Sequence, residues 1–315
     1  SCGKVHTCAI KHIEIGQGAV YKLREYTQNY RHILLVADNN TYAVCGKQAE
    51  DLLADRLAKV FVYQRDGILV PNEAAVAEME QFLTAEIDLI IGVGSGVIQD
   101  LCKYVSFQHN LPYHMVATAP SMDGYASVGA AMIWENMKVT FNCHVPEVII
   151  GDVDVLKDAP MEMIRAGYGD ILGKYSCLND WKLSHIVNGE YFCQYVHDLM
   201  MDMVVKTQDL GAKLQNREPE AIQTLMEALA GAGVAMALVG NSRPASGSEH
   251  HMSHYYEITG IVHNTPYLMH GTDVVCSAVY TQQLREELLK LPEIPARREF
   301  NREKWEANIH RIYGA

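Results

Sequence analysis

Ile87-Asp88-Leu89-Ile90-Ile91-Gly92-Val93-Gly94-Ser95-Gly96-Val97-Ile98-Gln99-Asp100 runs from an apolar segment through a glycine-rich turn straight into a helical pattern. A short apolar run bounded by glycines reads as a buried strand, and a helix that follows at once makes it one arm of a parallel crossover. Glycines let a backbone approach a ligand closely, and the N–H groups at a helix start point outward, an arrangement that suits a phosphate or pyrophosphate. The spacing Gly92, Gly94, Gly96 departs from the dinucleotide fingerprint, whose third glycine falls three residues after the second. By itself the turn therefore also fits a tight structural corner.

The same alternation extends outward on both sides. His32–Ala37 reads as a buried strand closed by the polar turn Asp38-Asn39-Asn40, a helical stretch covers Cys45–Leu57, and Val60–Tyr63 is a second strand. Asn72 can cap a helix over Glu73–Thr84, and Tyr113–Ala117 is one more strand. Asp38 ends its strand where an acid could accept from an adenosine ribose hydroxyl, which would favour NAD over NADP; it equally suits a turn. From Ala130 the pattern becomes a hairpin, with Ala131–Trp134 and Lys138–Phe141 flanking Glu135-Asn136-Met137, followed by the strand Glu147–Ile150.

After Pro160 the periodicity is helical almost throughout: Met161–Ile186, Tyr191–Leu214, Glu218–Val239 and Thr272–Leu289. The order predicts a Rossmann-like α/β domain over residues 1–155 and an all-α domain over 156–315. A cleft between two such domains is a common place for cofactor and substrate to meet.

The chain's 315 residues and 49% hydrophobic content provide ample core. Its 26 Lys and Arg against 38 Asp and Glu give a net charge of −12, which argues against nucleic-acid binding and against docking on anionic lipid. An anionic substrate would need local positive potential from a metal, a helix start or a few placed cations. No apolar run reaches about 18 residues, so no membrane span is expected. Eight cysteines without a Cys-x-x-Cys pair read as reduced thiols in a cytoplasmic protein, with Cys102 and Cys276 inside apolar-periodic segments.

Ser246-Gly247-Ser248-Glu249-His250-His251-Met252-Ser253-His254 packs three histidines into the start of a predicted helix. His250 and His254 are four residues apart and share one helix face, and His270 opens another helix; His263 reads as an ordinary histidine. A catalytic metal usually takes three protein ligands, mixing imidazole and carboxylate. Asp170, in Gly167-Tyr168-Gly169-Asp170-Ile171-Leu172-Gly173-Lys174, is the best carboxylate candidate, because an acid on an apolar helix face is costly to bury without a cation or several donors. Periodicity does not say whether Asp170 meets the histidines.

Thr118-Ala119-Pro120-Ser121-Met122-Asp123-Gly124-Tyr125-Ala126-Ser127, the glycine turn before it, Gly167–Lys174 after it, and Ser242–His251 with His270-Gly271 resemble the sn-glycerol-1-phosphate dehydrogenases, in their bacterial AraM-type branch. The wider group is the metal-dependent alcohol dehydrogenase superfamily, which includes glycerol dehydrogenase and has a dehydroquinate synthase-like fold. The resemblance runs in order over about residues 10–290, with Val93 standing where the family has another glycine.

It implies interconversion of dihydroxyacetone phosphate and sn-glycerol 1-phosphate, with NAD(H) preferred, NADP(H) as the other cofactor, and one divalent metal: zinc, nickel or iron. Asp170, His250 and His270 would hold the metal. Gly94, Gly96, Val97, Ile98, Gln99, Asp100, Thr118, Ala119, Pro120, Ser121 and Ser127 would bind the dinucleotide, with Asp38 at its ribose. Asp123 and Asp170 would meet the substrate, and His254 is the candidate proton relay. Lys174 and Arg243, each beside a site motif, are candidates for the substrate phosphate.

Family analogy further implies a homodimer and a role in making glycerol-1-phosphate-based phospholipids. It also implies further helices after the region equivalent to 297–315, which bear on dimer packing and cleft closure. The competing readings are a glycerol dehydrogenase acting on unphosphorylated glycerol and a nucleotide-binding relative without catalysis.

Overall fold

The computed structural model describes residues 2–263, 265, 268–293 and 299–313. Its strands are β1 (His12–Gly16), β2 (Ile33–Asp38), β3 (Leu57–Tyr63), β4 (Leu89–Gly94), β5 (Tyr113–Ala117), β6 (Gly129–Trp134), β7 (Met137–Asn142) and β8 (Val148–Asp152). Helices α1 (Leu23–Tyr26), α2 (Asn39–Thr41), α3 (Lys47–Leu53), α4 (Glu73–Glu80) and α5 (Gly96–Gln108) are interspersed among them. The helices α6 (Val153–Leu156), α7 (Met161–Asn188), α8 (Gln194–Thr207), α9 (Gly211–Gln215), α10 (Pro219–Val239), α11 (Ser248–His263), α12 (His270–Leu289) and α13 (Arg302–Tyr313) follow. The chain divides into two compact units, Ser1–Thr281 and Gln282–Ala315; the first holds the sheet, the helical layer and the candidate site, the second the end of α12 and α13.

Six strands form one parallel sheet in the order β1-β8-β5-β4-β2-β3. Its central strands are apolar on both faces because both faces are covered. Leu34, Val36 and Ile90 enter one apolar cluster, with Ile98, Leu101 and Val105 of α5; Ile33, Leu35, Ala37, Leu89 and Ile91 enter a second, with Leu23, Ala49 and Leu53. This is the two-residue alternation of a strand sandwiched between helices. The strand order reverses at β2, which leads to β3 on one side while β4 returns on the other, so the carboxyl ends of β2 and β4 flank the crevice where such sheets bind ligands. Asp38 and Gly94 end those two strands.

The fold class is the expected one, with local differences. β1 escaped the reading because it is a short edge strand carrying His12 and Glu14, paired only with β8. The hairpin β6–β7 turns on two residues rather than three: Glu135 and Asn136 have φ of 50° and 60°, the left-handed pair that a tight two-residue turn requires. The single helix expected over Tyr191–Leu214 is two, α8 and α9. Thr207 hydroxyl bonds back to the Met203 and Val204 carbonyls, and Tyr168 donates to the Gln208 carbonyl, diverting groups that would continue the helix. α13 had no counterpart in the sequence reading, and residues 297, 298, 314 and 315 of the C-terminal region considered there lie outside the described residues. Cys102 is buried as expected, whereas Cys276 is exposed.

One apolar run does reach membrane-spanning length: α10, by length and composition, contrary to the expectation of none. Most of its apolar window is buried, with Ile222, Leu225, Met226 and Leu229 in the main cluster, as in the central helix of a helical layer.

Candidate functional site

Close backbone approach assembles the site. A Cβ on Gly271 would lie 1.9 Å from the Ala166 carbonyl oxygen, and one on Gly167 would lie 1.8 Å from that of Pro120. Only glycine lets α7 press against both the start of α12 and the Pro120 loop. The Gly-Tyr-Gly-Asp stretch therefore draws the Asp123 loop and His270 toward Asp170.

Asp170 is fully buried. Its Oδ2 accepts from the Asp123 backbone N–H at 3.0 Å, and its Oδ1 pairs with Lys174 Nζ at 2.6 Å and lies 3.9 Å from His250 Nε2. Asp170, His250 and His270 each offer a donor atom, all within 4.8 Å of one another. Both imidazoles are held from behind by carboxylates: His250 Nδ1 lies 2.7 Å from Glu249, and His270 Nδ1 lies 3.2 Å from Glu257. Each Nε2 is thereby left as the ligating nitrogen, the carboxylate–imidazole support usual at metal centres. Burial alone would raise the Asp170 carboxyl, but Lys174, His270 and His250 outweigh it and hold it low. Burial keeps His250 neutral, so carboxylate and imidazole are both in their ligating forms. Burial alone would lower the His270 imidazole, but the carboxylates of Glu257 and Asp170 outweigh it and push the ring up, so a metal would displace its proton on binding. The donor set and its support fit a divalent metal.

His254, Glu257 and His270 form a second trio within the same separation. Glu257 there is already engaged by Lys138 Nζ and His270 Nδ1, so it serves as the support of the first trio.

A cavity of about 670 Å³ opens on these groups. Gly96, Val97, Asp100, Asp123, Ser127, His250, His254 and His270 line it, whereas Asp170 stands buried against it through His250. Ser95 makes no side-chain cap on α5, which leaves the N–H groups of its first turn, at Gly96, Val97 and Ile98, without intrahelical acceptors. The side chains of Ile98 and Gln99 turn into the core instead, where Gln99 donates to the Tyr125 carbonyl at 2.8 Å. Gly94 accepts from Thr118 N–H at 2.9 Å, Ala119 from Tyr125 hydroxyl at 2.7 Å, and Pro120 meets Gly167; with Ser121 they shape the turn behind the cavity without lining it. Asp38 accepts from the Asn40 and Thr41 amides at 2.8 and 2.9 Å, so its Oδ1 caps the following turn. Burial raises the Asp100 carboxyl to about 6, and burial, Lys138 and His270 lower His254 to about 4, leaving it neutral near pH 7.

Neither expected phosphate cation is placed for that task. Lys174 is fully buried between Asp123 and Asp170, 2.6 Å from each, and donates to the Ala245 carbonyl at 3.0 Å. Arg243 pairs with Glu190 at 2.7 Å and does not line the cavity. Among the cavity's lining residues the one Lys or Arg is Lys138 of β7. Sequence reading missed Lys138, Glu249 and Glu257. Glu257 had a signal, since His250, His254 and Glu257 follow helical spacing on one face of α11.

The fold is that of the metal-dependent alcohol dehydrogenases. The family model for iron-containing alcohol dehydrogenase matches residues 14–160. A glycerol dehydrogenase from Schizosaccharomyces pombe superposes over 90% of this chain and 73% of its own with a TM-score of 0.73 at 22% identity. A Bifidobacterium kashiwanohense sulfoacetaldehyde reductase in complex with NAD+ superposes with a TM-score of 0.71 at 15% identity, over 90% and 77% of the two chains. The chain is 33% identical to an NAD(P)+ glycerol-1-phosphate dehydrogenase of Halalkalibacterium halodurans, and 35% identical to one of Bacillus velezensis, each over 91% of this chain and 75% of the relative. The chain belongs to the glycerol-1-phosphate dehydrogenase family and is an oxidoreductase.

Proposed function

We propose that this enzyme interconverts dihydroxyacetone phosphate and sn-glycerol 1-phosphate with NAD(H) or NADP(H), using a divalent metal held by Asp170, His250 and His270. The observation that carries the reading is the convergence of these three donors beside a cavity that also exposes the uncapped start of α5. Residues 1–155 hold the cofactor and 156–315 the metal; dimerisation and a cytoplasmic setting follow by analogy only.

The N–H groups of Gly96, Val97 and Ile98 receive the cofactor's pyrophosphate, with Ser127 and Asp100 beside it and Asp38 at the ribose. Thr118 to Ser121, with Gly94 and Gln99, form the wall that fixes its approach. Asp123 accepts from a substrate hydroxyl, and Lys174 pairs with both it and Asp170. Lys138 exchanges its Glu257 partner for the substrate phosphate. His254, neutral and facing the cavity, would relay a proton from water to the substrate oxygen, accepting one at one ring nitrogen as it releases one from the other, so that the ring ends neutral as it began. When bound, the metal supplies a Lewis acid for the carbonyl oxygen.

The test is NADH oxidation at 340 nm with dihydroxyacetone phosphate. Chelator-stripped protein is given zinc, nickel or ferrous iron in turn, with unphosphorylated dihydroxyacetone as control. Activity restored by a metal and confined to the phosphorylated ketone supports the reading. Equal activity on the control assigns a glycerol dehydrogenase, and NADH binding without turnover under every metal assigns a non-catalytic relative.

A further inference from the structure

Away from the cavity, Cys2, His6 and Cys193 each offer a donor atom, all within 4.8 Å of one another. His6 is oriented for ligation: its Nδ1 lies 2.6 Å from the Leu238 carbonyl oxygen, to which it can only donate. In the neutral ring its Nε2 then carries the lone pair, 3.2 Å from Cys2 Sγ and 3.3 Å from the Tyr191 hydroxyl. Cys193 is 2% exposed and is the N-cap of α8, which no side chain caps. Lys4 places its ammonium 3.8 Å from the centre of the Tyr191 ring.

We propose that Cys2, His6 and Cys193 form a second metal site, apart from the Asp170 centre, that takes a thiolate-preferring divalent cation such as zinc. Two thiolates cancel the charge of the dication, and sulfur with imidazole is a donor set that selects zinc over magnesium or calcium. Bonds of about 2.0–2.3 Å in a tetrahedron place ligands about 3.5 Å apart, so closure needs only a small contraction of the cluster. The Tyr191 hydroxyl or a water completes the fourth position.

The consequence is mechanical. Residues 2–11 hold no helix or strand, and the site ties them to the Tyr191–Cys193 connection and, through His6, to the last turn of α10. Gly240, Asn241 and Ser242, just beyond that turn, line the cavity, so the tie fixes one margin of the site.

Cobalt titration of reduced, chelator-stripped full-length chain tests this, because the Asp170 centre contains no sulfur. We expect a near-ultraviolet thiolate-to-cobalt charge-transfer band that persists in His250→Ala. It should vanish in Cys2→Ser and in Cys193→Ser, and zinc-loaded wild type should hold one more equivalent of metal than either serine variant. Absence of the band in wild type overturns the proposal, as does its survival in the double serine variant, which assigns it to other cysteines. A Cys2–Cys193 disulfide forming in air, with no metal uptake after its reduction, also overturns it.

Discussion

Replacing Lys174 by methionine separates the two roles that residue could have. The side chain is fully buried, its ammonium 2.6 Å from both Asp123 and Asp170, and methionine keeps the volume while removing the charge. Breaking a buried ion pair by deleting one partner costs about 3–5 kcal/mol, because a charge is left uncompensated. In a chain of this size that corresponds to a fall in Tm of about 5–8 °C, measured by calorimetry in chelator. Two further signatures belong to the reasoning. Adding Asp123→Asn should recover part of the loss, since one of the two stranded carboxylates is then neutral. Metal added back should narrow the deficit, since Asp170 regains a cation. A shift below about 1 kcal/mol in chelator, together with a raised KM for the phosphorylated ketone, would refute this account and return Lys174 to the substrate phosphate.

Glu257→Gln loosens His270 and releases Lys138, and loss of such a support lowers metal affinity by about 10–100-fold, read by competition with a chromophoric chelator. Gly271→Ala puts a Cβ where the Ala166 carbonyl oxygen stands, so α12 must retreat from α7; both Tm and metal content should fall, while a Tm equal to wild type would show that the approach is not obligatory. Glu147, held at about 2 by the His114 ring, Lys11 and Tyr30, is depressed relative to its unfolded value. The unfolded chain therefore takes up this proton first, and stability falls as pH drops from about 4.5 toward 2; Glu147→Gln should flatten that stretch of a denaturation-against-pH curve.

Much of the α/β half was readable because its information is local. Continuous apolar runs, the Asn72 cap and the Gly94–Gly96 corner each act within a few residues, and Asn72 does accept from the Ala75 amide at 3.0 Å. β1 carries no such pattern, since its identity as a strand comes from β8, distant in sequence. The same distinction divides the site. His250 and His254 were visible as a helix face, but the approach of Asp170 to them depends on glycine contacts between α7 and α12 that no spacing records. Lys174 was misread for a related reason. A lysine beside a motif looks like a surface charge until its neighbours are known, and Asp123, fifty-one positions away, supplies the second carboxylate that buries it. Asp38 shows the converse, for its capping of Asn40 and Thr41 is local and was the simpler of its two readings.

The charges around the cavity link these observations to substrate choice. Asp100, Asp123, Asp170, Glu249, Glu257 and Asp273 stand in or against it, and Lys103, Lys138 and Lys174 answer them, so carboxylates outnumber ammonium groups. Left to itself, that surplus repels a phosphorylated ketone, and bringing one in requires either positive charge from elsewhere or the release of a cation already present. A dication at Asp170, His250 and His270 would offset most of the surplus. Lys138 can then leave Glu257 for a phosphate without stranding the carboxylate, because His270 Nδ1 still holds it. On the proposed function, the chain's acidity and an anionic substrate are thus compatible through one dense cluster of charge, in which His270 and Lys138 share Glu257 as a common partner.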